Sequence, residues 1–245
     1  MKTNYRLCAS VLRTKKVDAE QKKFGMTCSY SYDDDSKDGA NLAVVEFGLE
    51  YAYSDKHQKA ICDLVREAIK SVGNLQIQSV QKVLFIGVGN PTFTADCFGV
   101  CVSKNLYSKL YLSNQTESTK FKFYYFNPDI RAKTGLDTIA ITNLIIDEVS
   151  PDIIFLFDCY ATRHNSRVGK VVEVKNKALR PASAVEGYDD KIVSKTGAKI
   201  ISIGAVLLRV SKNEQMLSMK TNADLLTMRL AESVADAVSA VLSEL

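Results

Sequence analysis

Two short, wholly apolar runs constrain this 245-residue chain more than anything else in it. Val83-Leu84-Phe85-Ile86, closed by Gly87-Val88, and Ile153-Ile154-Phe155-Leu156-Phe157 have the length of strands and fall short of a helix. A strand that is apolar on both faces has to be covered on both, the usual setting of a parallel sheet between helices. The flanking segments suit that setting. From Leu42 to Tyr51 the pattern alternates, with Val45, Phe47, Leu49 and Tyr51 on one face, which predicts a strand. Ser54 or Asp55 can then cap a helix whose apolar positions are Ile61, Leu64, Val65, Ala68, Ile69 and Val72, and Gly73-Asn74 stops it. Further along, the patterns predict a helix around Cys97 to Leu110, a strand from Phe121 to Phe126 and a helix from Leu136 to Val149. A strand from Lys199 to Val210 and a C-terminal helix from Asn222 to Leu245 complete the set. Strands alternating with helices give an α/β protein of three layers, with a mainly parallel or mixed central sheet and helices on both faces. The polar stretch from Met1 to Asp38, with its Asp33-Asp34-Asp35 patch, reads as a partly irregular N-terminal arm. Residues 39–245 then form a single α/β domain, in which Ala161 to Lys191 is a long polar connection broken by Gly169, Pro181 and Gly187.

Composition narrows the function by exclusion. Apolar residues make up 46% and charged residues 24%, as in ordinary soluble domains. The net charge is +4, but the basic residues are spread along the chain. Arg13-Thr14-Lys15-Lys16 and the looser group Arg163, Arg167 and Lys170 read as solvated surface, and no nucleic-acid-binding motif accompanies them. Arg6 and Arg13 interrupt the N-terminal apolar stretch, so a secretory signal is not expected. No apolar run approaches the roughly 20 residues of a membrane span. Six cysteines at irregular spacing, with no export signal, point to reduced thiols and a cytoplasmic protein.

The chemistry-bearing residues follow the two apolar runs. In open α/β sheets, functional groups gather where strands reach their carboxyl edge. After the first run comes Gly87-Val88-Gly89-Asn90-Pro91-Thr92-Phe93-Thr94-Ala95-Asp96-Cys97-Phe98-Gly99, whose glycines allow a sharp turn. Asp96 falls at the start of the next helix, where it reads equally as an N-terminal cap. The third glycine of a dinucleotide-binding fingerprint is missing, so no such cofactor is expected. The second run ends in Asp158-Cys159-Tyr160-Ala161-Thr162-Arg163. An aspartate closing an apolar strand is costly to bury without a partner or a task; a salt bridge to Arg163 is the structural alternative. If the two strands are neighbours, the carboxylates face one crevice and can share a proton. One would activate water while the other donates to the scissile carbonyl or the leaving group. Alternatively, the pair could hold a divalent metal.

These segments resemble the germination protease family. Gly89-Asn90 through Asp96 and Gly99 is similar to the family's Gly-Asn and Thr-Pro-Asp-Ala-Leu-Gly turn, and Asp158 to Arg163 to its Asp-Ala-Leu-Ala-x-Arg segment. Leu179-Arg180-Pro181-Ala182-Ser183-Ala184-Val185 is similar to its Pro-Gly-Ser-Gly-Val-Gly loop, and Ser202-Ile203-Gly204-Ala205-Val206 to its Ile-Gly-Val-Pro strand. The order agrees over roughly Leu84 to Val210, as does the separation of 62 positions between the aspartates. Hydrogenase maturation endopeptidases have a related strand–turn–acid pattern and fold, and their acids bind metal. The resemblance implies a phosphorylase/hydrolase-like fold and an atypical aspartic endopeptidase, with Asp96 and Asp158 catalytic and a homo-oligomeric state. Asn90, Arg163, Ser183 and His164 are candidates for orienting the acids or the peptide substrate; His164 enters as a neighbour of Arg163 within reach of Asp158. The chain departs from the family pattern at Ala95, Val206, Ala182, Ala184 and Glu186. Replacing the loop glycines removes backbone freedom and leaves two further readings open, a metal-dependent maturation-type peptidase and an inactive binding protein.

Cys97 and Cys101, four apart on one helical face, and Cys159 beside Asp158 read either as core packing or as a thiolate-rich metal site. Ser183 lacks a nucleophile-elbow setting, so Ser-His-Asp chemistry is not expected.

Overall fold

The structure is a computed structural model that describes residues 19–23, 25–31, 41–75, 80–114, 121–179, 192, 197–210, 217–218 and 220–244. The strands are β1 (Ala19–Lys23), β2 (Met26–Ser31), β3 (Leu42–Glu46), β4 (Lys82–Gly87), β5 (Lys122–Phe126), β6 (Ile153–Thr162), β7 (Val171–Lys175), β8 (Lys199–Val210) and β9 (Leu217–Ser218). The helices are α1 (Asp55–Gly73), α2 (Phe98–Asn114), α3 (Arg131–Thr134), α4 (Thr138–Val149) and α5 (Ala223–Ser243). All the strands form one sheet in the order β1-β2-β3-β7-β8-β6-β4-β5, with β9 paired to β8. Strands β8, β6, β4 and β5 run parallel, whereas β1, β2, β3 and β7 join by antiparallel pairing. The sheet is therefore mixed, with β8 as the seam between its halves.

Both faces are covered, as the apolar strands require. On one face α1, α5 and α2 bury Ile61, Leu64, Ile69, Leu230 and Val238 against Phe85, Phe155, Phe157, Ile203 and Val172. On the other, Ile139 and Ile146 of α4 pack over Leu84, Ile86, Ile154 and Leu156. Helix α1 holds the predicted stripe to the residue. It ends at Asn74, which takes a left-handed conformation (φ 38°) and returns its N–H to the Lys70 carbonyl. At its start Ser54 makes no side-chain cap; its hydroxyl sits 2.8 Å from Nδ1 of His57 instead.

Four local expectations need correction. Within the stretch read as an N-terminal arm, β1 and β2 form an antiparallel pair that extends the sheet. Met26, Cys28 and Tyr30 are buried, alternating with half-buried Thr27 and Ser29. The strand expected to reach Tyr51 stops at Glu46, and Leu49–Tyr53 turns into a 3-10 helix that buries Tyr51 and Ala52. The connection read as loop contains β7, whose Val171, Val172, Glu173 and Val174 are all buried between β3 and β8. Strand β6 does not end at Phe157 but runs on to Thr162, because Asp158 to Thr162 keep pairing with β8 across a bulge at Tyr160 and Ala161.

Candidate active site

The last register pair between β4 and β6 is Gly87 with Phe157, and the Val88 N–H still donates to the Phe157 carbonyl at 2.8 Å. Asp158 is thus the first residue of β6 to outrun β4, while Gly204 of β8 supports it on the other side. Alternation along β6 sets Asp158 between Leu156 and Tyr160 on the α4 face and Cys159 on the opposite face. Opposite this strand end, the chain leaving β4 makes a tight loop. Gly89 has φ +126°, a conformation closed to L side chains, and a Cβ there would lie 2.0 Å from the Asp96 carbonyl. Gly99, in the first turn of α2, sits so close to the strand ends that a Cβ would meet the Phe157 carbonyl at 2.3 Å and the Val88 carbonyl at 2.5 Å. With its amide nitrogen facing α2, Asn127 donates to Ser103 Oγ at 3.1 Å and to the Gly87 carbonyl at 3.0 Å, tying the exit of β5 to β4 and α2.

Both predicted acids lie at this edge. The carboxylate of Asp96 turns back across the loop, and its Oδ2 accepts the Asn90 N–H at 2.7 Å. Asp158 Oδ1 accepts the N–H of Cys159 at 2.8 Å. Burial pushes the Asp158 carboxyl well above the usual range, and the negative charge of Asp96 adds to the rise against the Cys159 hydrogen bond. Asp96 is also raised, first by burial and then by the charge of Asp129, with the Asn90 hydrogen bond opposing. Burial and the same two carboxylates, Asp158 and Asp96, push the Cys159 thiol up as well. The charge of an ionised Asp96 therefore opposes ionisation of Asp158.

The lesser candidates fall differently. Asn90 touches Asp96 through its backbone; its side-chain oxygen is taken by the N–H and hydroxyl of Thr92, at 3.0 and 2.8 Å. His164 stands at the start of a short 3-10 turn, its N–H donating to Thr162 Oγ1 at 3.1 Å, and no hydrogen bond joins its ring to Asp158 among the described residues. Arg163 is exposed beside it. Ser183 and the rest of the altered glycine loop lie outside the described residues.

Two acidic groups were missed from sequence. Asp129, three residues beyond β5, brings a third carboxylate near Asp96. It has φ 59°, accepts the Ile130 N–H at 2.8 Å and lies 3.8 Å from Lys133 Nζ. Its signal was the same as for the others, an acid just past a strand end. Glu173 shares the cross-strand row of Asp158 and Gly204 and is only 1% exposed. It pairs with Lys175 at 2.7 Å and Arg167 at 3.9 Å, and Lys175 also lies 4.8 Å from the centre of the Tyr160 ring. Among the described residues, no three His, Cys, Asp or Glu side chains are grouped closely enough to hold a metal ion. No helix among them is long and apolar enough to cross a membrane.

An α/β sheet that gathers carboxylates at the ends of adjoining parallel strands defines the class, a mixed-sheet α/β protein with an acidic edge. The family described as Germination protease matches residues 14–213, and the chain belongs to that family. A germination protease of Caldanaerobacter subterraneus subsp. tengcongensis is 27% identical over 156 residues, 58% of this chain and 47% of that protein. The Bacillus subtilis germination protease is 26% identical over 174 residues, 69% of this chain and 47% of its own length. The chain therefore spans about half the length of the curated relatives it matches. Among solved structures, the [NiFe] hydrogenase maturation protease HycI from Thermococcus kodakarensis KOD1 overlaps with a TM-score of 0.38 at 16% identity, covering 66% of this chain and 94% of that one.

Proposed function

We propose that the protein is an endopeptidase in which Asp96 and Asp158 activate water against a peptide bond of a protein substrate. The observation that carries the reading is the placing of the two acids: β4 and β6 pair in parallel up to Gly87 and Phe157, so Asp158 and the loop that bears Asp96 leave the sheet at one edge, where burial raises both acids and Asp96 raises Asp158 further. In the resting state Asp96 is ionised and Asp158 protonated. Asp96 takes a proton from water as the oxygen attacks the scissile carbonyl. Asp158, whose Oδ1 is held by the Cys159 N–H, donates its proton from Oδ2 to the developing oxyanion. Collapse of the tetrahedral intermediate returns one hydroxyl proton to Asp158 and expels the amine, which carries away the proton first taken by Asp96. No covalent enzyme intermediate forms. Asn90 serves through its backbone N–H, which keeps the Asp96 charge aimed across the loop.

Incubation of the purified protein with a diverse peptide pool, read by mass spectrometry for new termini, tests the proposal. Cleavage disappears in Asp96→Asn and in Asp158→Asn, while both variants stay folded. Full cleavage in either variant refutes the assignment, and absence of any cleavage by the parent protein favours a binding role on the same fold.

A further inference from the structure

We propose that Cys97, Cys101 and Met228 form a binding site for a soft monovalent metal ion of the Cu(I) class, distinct from the carboxylate pair and independent of the peptidase reading. Cys101 of α2 is the middle of the three sulfurs, with Cys97 in the turn that leads into α2 and Met228 on α5. Cys97 and Cys101 are one helical turn apart, with the Cys101 N–H donating to the Cys97 carbonyl at 2.8 Å, and their Sγ atoms are 3.6 Å apart. From α5, Met228 brings its Sδ to 3.8 Å from Cys101 Sγ. A metal ion about 2.3 Å from each sulfur holds two sulfurs about 3.8 Å apart at a tetrahedral angle and about 4.0 Å apart at a trigonal one. The separations from Cys101 to Cys97 and to Met228 need only a few tenths of an ångström of adjustment to match.

Access and chemistry agree with this geometry. Cys97 and Cys101 are half-buried and Met228 is 50% exposed, so an ion can enter without the helices parting. Cys28, by contrast, is fully buried. The donors are two thiols and a thioether, a set that selects Cu(I) over harder ions. Zinc in a structural site asks for four donors. The nearest oxygen acid in sequence, Asp96, already accepts the Asn90 N–H. Binding releases one proton from each thiol, so a monovalent cation leaves a complex of net charge −1, and the metal is neither oxidised nor reduced. Lys104, three positions after Cys101 in α2, offsets that negative charge.

The test uses the full chain, reduced and anaerobic, with Cys8→Ser, Cys28→Ser and Cys62→Ser as background. Cu(I) is supplied as its bicinchoninate complex, whose colour reports the metal withdrawn. One equivalent leaves the chelator in the background protein and in Cys159→Ser, and none does in Cys97→Ser or Cys101→Ser. Met228→Leu binds at least about tenfold more weakly, the scale on which even outer partners of a metal matter. Thermal midpoints report whether each variant folds, and X-ray absorption on the copper-loaded background protein counts three sulfurs without further substitution. The proposal is overturned if no copper is withdrawn, if Met228→Leu binds as tightly as the background protein, if Cys159→Ser loses the metal, if two sulfurs are counted, or if equimolar Zn(II) displaces the copper.

Discussion

Replacing Gly99 with alanine sets helix propensity against packing, with opposite signs. Within a helix, Gly→Ala stabilises by about 1 kcal/mol when nothing else changes. Here the new methyl would stand 2.3 Å from the Phe157 carbonyl and 2.5 Å from that of Val88. Both oxygens are backbone, and ordinary carbon–oxygen contact begins near ~3.3 Å, so the helix start has to back away by about 1 Å. Overpacking of this kind costs about 1–3 kcal/mol. The retreat also loosens the 2.8 Å hydrogen bond from Val88 to Phe157, which is worth about 1 kcal/mol. The balance is a loss of about 1–3 kcal/mol. At about 2–4 °C per kcal/mol for a domain of this size, the melting temperature falls by about 2–12 °C. Differential scanning calorimetry at fixed scan rate, with a urea titration beside it, measures the loss. A variant as stable as the parent or more so would refute the reasoning, since propensity alone predicts that outcome. Because the same movement shifts Asp96 relative to Asp158, cleavage should fall by more than the stability loss explains.

The acid pair makes a second prediction with a defined sign. A carboxyl whose folded pKa is raised contributes stability that is full below its unfolded value near ~3.9 and is lost as pH rises through the folded value. Asp158→Asn removes that loss, so the variant is the more stable protein at neutral pH and matches the parent at acid pH, at about 1.4 kcal/mol per unit of elevation; equal stability at both pH values counts against the buried charge. The pH profile of cleavage should be bell-shaped, its acid limb set by Asp96 and its alkaline limb by Asp158; Asn90→Pro, which removes the N–H on Asp96, should move the acid limb upward, and an unmoved limb rejects the role given to that hydrogen bond. Glu173→Ala takes from Lys175 its carboxylate at 2.7 Å and from Arg167 one of two, Glu46 remaining at 3.6 Å; chemical denaturation should show a loss of about 3–5 kcal/mol, and a loss under ~1 kcal/mol would mean that the pair is solvent-screened.

The sequence was most legible where one physical demand acts alone. Helix α1 shows its stripe because one face packs on the sheet and the other meets water. β4 and the first half of β6 are apolar on both faces because both faces are covered. Their aspartates stood out because a charge at the end of such a run needs a reason. Legibility failed where a buried position is polar. β7 carries Glu173 and Lys175, which look like loop residues until Arg167 and Tyr160 are seen around them. The second half of β6, Asp158-Cys159-Tyr160-Ala161-Thr162, has no apolar run, since its place is fixed by pairing with β8 rather than by burial pattern. Asp129 was overlooked because β5 is an edge strand of half-buried residues and gives a weak signal of where it ends. Met228 meets Cys101 across 127 positions, a distance no spacing rule can bridge.

The seam at β8 has a consequence for synthesis. Before residues 199–210 leave the ribosome, β7 can pair only with β3, and β6 only with β4. A nascent chain therefore carries two half sheets, each with an unpaired border that another copy could capture. The half bearing Asp96 and Asp158 can assemble its strand ends first, while α5, which packs on both α1 and α2, follows β8. Truncation just short of β8 should turn a well-behaved protein into an aggregating one, whatever chemistry its acids perform.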